Sequence, residues 1–245
     1  MDKKSARLLK DSAEFVAPVV TGILNRSLES GVFPAVWKNG KVSALFKSGN
    51  RSECNNYRPI TVLPTVSKIL ERAVHQQFYS YLTESNILTP KQIGFHPKLS
   101  TEVALAHFTD SILEKLNKGM LTGAVFLDLS KAFDTVNHDL LLAKLNRIGA
   151  CKSVVQCFTS YLSNRFQLTT FGNVESTLLP VHVGVPLGSI LGPLLFLVYI
   201  NNLAQCLEHC EVALYADDTV IYFSSLSVGD IESALNEDLA TLFMV

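Results

Sequence analysis

Tyr215-Ala216-Asp217-Asp218 stands between two apolar, strand-forming runs, Val212-Ala213-Leu214 and Thr219-Val220-Ile221-Tyr222-Phe223. That arrangement predicts a β-hairpin carrying two adjacent carboxylates at its tip. Two such charges repel by about 4 kcal/mol at roughly 4 Å and an effective dielectric near 20. A cation between them removes that cost, and Mg²⁺, which seeks hard oxygen ligands, suits the position. Taken alone, the pair also fits an ordinary solvated turn, where Asp is common.

A second acid lies upstream, in Gly123-Ala124-Val125-Phe126-Leu127-Asp128-Leu129. Residues 124–129 are apolar except for Asp128, and a short continuous apolar run reads as a buried strand. A carboxylate at the end of such a strand is costly to bury unless it is paired or binds a metal. The acids of a strand ending at Asp128 and a hairpin turning at Asp217 can meet in one antiparallel sheet. Two metal ions held there about 3.5–4 Å apart would serve in-line phosphoryl or nucleotidyl transfer.

A third segment, Gly184-Val185-Pro186-Leu187-Gly188-Ser189-Ile190-Leu191-Gly192-Pro193, is punctuated by three glycines and two prolines. Glycine permits close backbone approach, and proline restricts the turn. The apolar run Leu194–Ile200 follows. It is far short of the roughly 20 residues that a membrane-spanning helix needs.

The rest of the chain reads as alternating helices and strands. Residues 1–32 carry apolar positions at helical spacing, and Lys41–Phe46 reads as a strand with a turn over 47–50. Residues 51–60 are polar and loop-like. Helices are predicted over Thr65–Leu82, from an N-cap at Ser100 to about Asn117, over His138–Arg147 and over Val154–Leu162. Phe166–Phe171 and Ser176–Val183 read as strands joined near Gly172-Asn173, a hairpin signal. Val228–Phe243 is an amphipathic helix.

With 245 residues, 48% of them hydrophobic, the chain can bury a substantial core. The net charge is −1, but it is unevenly spread. Residues 1–100 hold 14 Lys/Arg against 7 Asp/Glu, and residues 101–245 hold 7 against 15. The basic part suits nucleic-acid phosphates and the acidic part suits metal. Five cysteines (Cys54, Cys151, Cys157, Cys206 and Cys210) without a framework pattern indicate reduced thiols. Cys206, His209 and Cys210 lack a second ligand pair at zinc-site spacing. No secretory signal is evident.

Three segments together resemble the core motifs of reverse transcriptases, and specifically those of non-LTR (LINE-type) retrotransposons. They are Phe126–His138, Gly184–Leu203 and Tyr215–Asp218. Phe33–Lys38, Leu45–Gly49, Asn56–Ile60, Lys68–Glu71, Gln92–Phe95 and Ser100-Thr101 occur in the same order as in that family. The resemblance covers nearly the whole chain.

It implies an α+β, right-hand polymerase fold of fingers and palm, with a mainly antiparallel palm sheet packed on helices. Residues 1–118 would be N-terminal helices and fingers. Residues 119–245 would be a truncated palm, with a segment near 138–180 contributing to the fingers. The thumb and any endonuclease would be absent. The implied activity is RNA-directed DNA synthesis, adding dNTPs to a primer 3′-hydroxyl with two Mg²⁺ ions, for which Mn²⁺ can substitute. The implied partners are an RNA template, a DNA primer or target DNA, and dNTPs, with no membrane. The implied location is intracellular, in the nucleus, the cytoplasm or both.

The resemblance also assigns roles. Asp128 and Asp217 would be the primary metal ligands, Asp218 a third acid, and the Leu129 carbonyl a further ligand beside the nucleotide. Phe133 would be a steric gate excluding a 2′-hydroxyl. Lys47 and Arg58 would contact the incoming triphosphate, and Leu187 and Gly188 would border the nucleotide. Three positions depart from the family pattern. Leu187 stands where Gln is usual, Asn202 where Asp is usual, and His96 where Arg is common. Leu187 and the missing thumb support an alternative, a catalytically weak or inactive nucleic-acid-binding remnant. A two-metal nuclease is a third reading, disfavoured by Phe133 and the Gly/Pro segment.

Overall fold

The computed structural model describes residues 6–242. The chain opens with α1 (Ala6–Asp11) and α2 (Ala13–Ser30), then forms β1 (Asn39–Phe46), β2 (Tyr57–Val62) and the long α3 (Thr65–Glu84). Next come α4 (Thr101–Asn117) and β3 (Leu121–Asp128). After these lie α5 (His138–Arg147), α6 (Lys152–Leu162), β4 (Arg165–Phe171), and the short β5 (Val174–Glu175) and β6 (Leu179–Val181). The order ends with α7 (Leu191–Ile200), β7 (Glu211–Tyr215), β8 (Asp218–Ser225) and α8 (Val228–Leu242). The helix expected over 1–32 is broken at Ser12, and its first five residues, like Phe243, lie outside the described residues.

Two compact units form. Of the described residues, those up to Tyr81 together with Phe133–Phe196 make the first, and Leu82–Ala132 with the residues from Leu197 onward make the second.

The first unit is built on a sheet of order β2-β1-β4-β5, with β6 also pairing β4. The β1–β4 pair is parallel and the others are antiparallel. β2 corrects the loop expected over 51–60. Its alternation is hidden by Arg58 and Pro59, and Pro59 is tolerated because β2 is an edge strand. The strand expected over Ser176–Val183 is also corrected. After a two-residue turn at Gly172-Asn173, β5 pairs the end of β4, and β6 then pairs its beginning. Gly172 has φ 59°, which glycine adopts without penalty. Phe33, Phe78, Phe158 and Tyr161 are buried beside the helices of this unit. Phe33 meets Tyr161 edge-on at 5.0 Å between ring centroids.

In the second unit, β3-β8-β7 form an antiparallel sheet. Val212, Leu214 and Ile221 centre its core, with Val125 and the α8 residues Leu235 and Leu239 packed on them. Gly123 lets α8 approach, since a Cβ there would sit 2.4 Å from Ile231 Cγ2. The other face meets α4, where Phe108 packs edge-on against Phe126 and Tyr222. β3 was expected to be buried on both faces. Instead its α4 side is only partly covered, and Phe126, at 74% exposure despite its edge-on contact with Phe108, and Asp128 are open to solvent. The apolar run misled because Ala124 and Phe126 continue it across the open face.

Candidate active site

The antiparallel register places Asp128 directly across from Asp218. Residues opposed in this way share a face of the sheet, with Cβ atoms about 4.5–5.5 Å apart. Here that is the face of Phe126 and Tyr222, away from the α8 core. Tyr215 pairs with Asp218, so Ala216 and Asp217 form the two-residue turn between β7 and β8. Asp217 is half-buried, while Asp128 and Asp218 are exposed. The sheet thus gathers all three acids at one end of the second unit. Like charges directly opposed destabilise a sheet, so the Asp128–Asp218 pair is an unfavourable local choice unless something cationic sits there.

The turn is under conformational demand. Ala216 has φ 57°, in the left-handed region that costs an L-residue with a Cβ roughly 1–2 kcal/mol. Gln92, itself buried, meets that residue twice. Its Oε1 accepts the Ala216 N–H at 2.8 Å, and its Nε2 donates to the Ala216 carbonyl at 3.0 Å. The same Oε1 accepts the Gly94 N–H at 2.8 Å. Beside it, the Ile93 N–H donates to the Leu214 carbonyl and the Leu214 N–H to the Lys91 carbonyl. Residues 91–94 therefore line the outer edge of the hairpin. The sequence pattern assigned Gln92 no role, because only the long-range pairing with Leu214 brings it here.

Leu129 follows Asp128, and its carbonyl accepts the Ala132 N–H at 3.3 Å, leaving one lone pair available. Among the described residues, no group of three or more His, Cys, Asp or Glu is placed to hold a metal by itself. The donor set still fits Mg²⁺. That ion is usually held by one or two carboxylates, keeps waters, and completes its shell with substrate phosphates.

The other candidate residues belong to the first unit. Arg58 lies across from Leu45, and the Lys47 N–H continues the ladder to the Asn56 carbonyl. Lys47 and Arg58 therefore share one face of the β1–β2 hairpin, and both are exposed. Phe133 is half-buried and stacks on Phe196, with ring centroids 4.8 Å apart. Its carbonyl accepts the Val185 N–H, and the Val136 carbonyl accepts the Gly184 N–H, each at 2.8 Å. Gly184, at φ 85°, lies so close to Asp134 that a Cβ would sit 2.7 Å from the Asp134 carbonyl oxygen. The Leu187 carbonyl accepts the Thr61 N–H at 2.7 Å. At Gly188 the close approach is to protein, since a Cβ there would lie 2.5 Å from the Thr61 carbonyl oxygen. Glu71, fully buried, accepts the Ile190 N–H at 2.8 Å and the Ser67 hydroxyl at 2.8 Å. It thereby anchors the entry to α7. No helix of the described residues is long and apolar enough to cross a membrane.

Known proteins resemble this chain in sequence and in fold. Residues 41–243 match the family model described as reverse transcriptase (RNA-dependent DNA polymerase). The chain is 32% identical over 249 residues to the RNA-directed DNA polymerase from mobile element jockey of Drosophila melanogaster, covering 98% of this chain and 26% of that protein. It is 33% identical over 228 residues to the probable RNA-directed DNA polymerase from transposon BS of the same organism, covering 90% and 25% respectively. The chain thus spans about a quarter of the length of these curated relatives. Among solved structures, apo telomerase from Candida tropicalis truncated from its C-terminal domain aligns with a TM-score of 0.57 at 15% identity, over 85% of this chain and 47% of that one. The likeness is one of fold, that of a right-hand polymerase.

Proposed function

The chain belongs to the reverse transcriptase (RNA-dependent DNA polymerase) family of non-LTR retrotransposons, and from that premise we propose that it is a nucleotidyl-transfer module. It copies an RNA template by adding dNTPs to a primer 3′-hydroxyl. In each addition the primer 3′-oxygen bonds to the α-phosphorus, the bond to the β-phosphate breaks, pyrophosphate leaves and the hydroxyl proton is lost. The single observation that supports this reading is the register setting Asp128 against Asp218 with Asp217 in the adjoining turn.

Asp128, Asp217, Asp218 and the Leu129 carbonyl would hold Mg²⁺, or Mn²⁺ in its place. When bound, such ions supply Lewis-acid activation of the attacking hydroxyl and neutralise charge on the leaving group. The chain's own residues do the rest. Arg58 presents a planar fork suited to bidentate phosphate contact, and Lys47 adds a point charge on the same face. Phe133, pinned through its carbonyl, offers a ring edge against a ribose 2′-hydroxyl. Leu187 and Gly188 border the nucleotide, Leu187 through packing alone. The template is RNA, the primer is DNA or a nicked target, and the protein acts inside the cell.

Primer extension on an RNA template, with dNTPs and Mg²⁺, tests this. The folded chain incorporates nucleotide and Asp217→Ala does not. Failure of both to incorporate, with both well folded, rejects the activity.

A further inference from the structure

Two of the side-chain hydrogen bonds of Gln92 converge on one residue. A buried primary amide reaches the backbone of Ala216 through both its oxygen and its nitrogen, at 2.8 and 3.0 Å. Ala216 sits between Tyr215 and Asp217 and is the turn residue held at positive φ. Gly94 closes the same contact from the other side. A Cβ on Gly94 would lie 2.1 Å from the Ala216 nitrogen, so backbone meets backbone here. The Gly94 N–H shares the Gln92 oxygen, which fixes the amide's orientation. The flanking Lys91 and Ile93 bond to Leu214 in β7, so the segment is tied to the hairpin independently of the Gln92 side chain. All of these residues belong to the second unit, with the three acids.

We propose that Gln92 is a positioning residue for the acid-bearing turn: its amide holds Ala216 in the left-handed conformation that sets Asp217 and Asp218 in their relation to Asp128. Only a side chain with both a donor and an acceptor meets the two Ala216 groups. Glutamate keeps the acceptor and loses the donor, and methionine keeps the volume and loses both. Glutamine at this position therefore acts on the reaction through Ala216 without touching substrate. This inference rests on the polymerase reading for its kinetic consequence, while its structural content stands apart from that reading.

The test uses the whole chain and four variants: Q92M, Q92E, A216G and Q92M/A216G. Hydrogen exchange, followed by mass spectrometry on peptides spanning residues 212–220 and 228–242, reports on the turn without substrate or metal. Q92M speeds exchange around Ala216–Asp218 and leaves α8 unchanged. Unchanged exchange at the turn, or equal acceleration in both peptides, overturns the proposal.

In primer extension, Q92M lowers kcat by roughly 10- to 100-fold, the range seen when groups supporting a site are removed, while the KM for dNTP stays near that of the parent. Q92E falls between the two. Q92M costs less in the A216G background, because glycine takes positive φ without help. Equal cost in both backgrounds, or a kcat unaffected by Q92M, overturns the proposal. If the parent chain incorporates no nucleotide at all, the polymerase reading fails, and the exchange pattern alone still decides whether Gln92 holds the turn.

Discussion

His138 places its Nε2 2.8 Å from the carbonyl oxygen of Gly184, so the first residue of α5 is tied to the glycine that opens the Gly/Pro segment. The Gly184 and Val185 N–H groups in turn hold the Val136 and Phe133 carbonyls. The backbone of the Phe133–Val136 loop is thus set by the Gly/Pro segment. Gly184→Ala brings a Cβ within 2.7 Å of the Asp134 carbonyl at a φ that alanine resists. The expected outcome is a loss of at least roughly 1–2 kcal/mol in urea unfolding, together with weaker discrimination between dNTP and rNTP in primer extension. A variant with the parent's discrimination removes Phe133 from the role of sugar gate.

Glu71 predicts a stability effect without a direct catalytic one. Glu71→Ala leaves the Ile190 N–H and the Ser67 hydroxyl without their partner in the interior. Each buried polar group so orphaned costs about 1–3 kcal/mol. Chemical denaturation of Glu71→Ala should show at least one such loss, and Glu71→Gln, which keeps an acceptor oxygen, a smaller one. Equal stability of all three proteins would mean that water replaces the carboxylate.

The opposed acids predict a trade between stability and metal response. Asp218→Asn removes the like-charge pairing across from Asp128. In EDTA it is expected to be more stable than the parent by roughly 0.2–1 kcal/mol. Added Mg²⁺ or Mn²⁺ should raise the thermal midpoint of the parent more than that of the variant. Matching responses to the ions would place the cation elsewhere.

A pH dependence follows from Asp238 on α8. Burial pushes its carboxyl upward, but the N–H groups of Glu208 and Cys210, the Cys210 thiol and the His209 N–H outweigh it, and the net direction is down. The three N–H groups lie 2.9, 2.6 and 3.1 Å from the carboxylate oxygens. Cys210 is itself pushed up to about 12, by burial first and then by Asp238, so the thiol stays protonated and able to donate. A carboxyl whose folded pKa is depressed stabilises the fold above its unfolded value, near 3.9 for Asp, and loses that contribution as pH falls through the folded value. Asp238→Asn should therefore be less stable than the parent at pH 7, and the gap should narrow in acid below about pH 4. A gap that does not change with pH would show that the carboxylate charge is not what holds the 208–210 loop.

Leu187 predicts a gain. Its carbonyl is engaged by Thr61, so the main chain at this position does not depend on the side chain. Leu187→Gln restores an amide where the family usually carries one and is expected to lower the KM for dNTP. An unchanged or higher KM would show that position 187 does not touch the nucleotide in this protein.

The hairpin at Tyr215–Asp218 and the strand ending at Asp128 were readable because strand alternation and apolar runs are local signals. Their antiparallel meeting was an arrangement the sequence allowed, and the register of β3 with β8 realises it. β2 was not readable, since Arg58 and Pro59 interrupt the pattern and only pairing with β1 reveals the strand. The open face of β3 was hidden for the opposite reason, because Ala124 and Phe126 are apolar where the sheet leaves them uncovered. Gln92, Glu71 and His138 act through side-chain hydrogen bonds to backbone groups far along the chain. No periodicity marks such a residue, because the partner is chosen by the fold and not by the neighbours in sequence.

The pairing of β3 with β8 spans some ninety residues of intervening chain. During synthesis at about 5–20 residues per second, β3 leaves the ribosome roughly 5–20 s before its neighbour exists. For that interval its apolar residues lack the strand and the α8 face that cover them later, and any partner strand offered by another molecule competes for the same edge. The β3 edge therefore stays open to such competition until residue 225 has emerged.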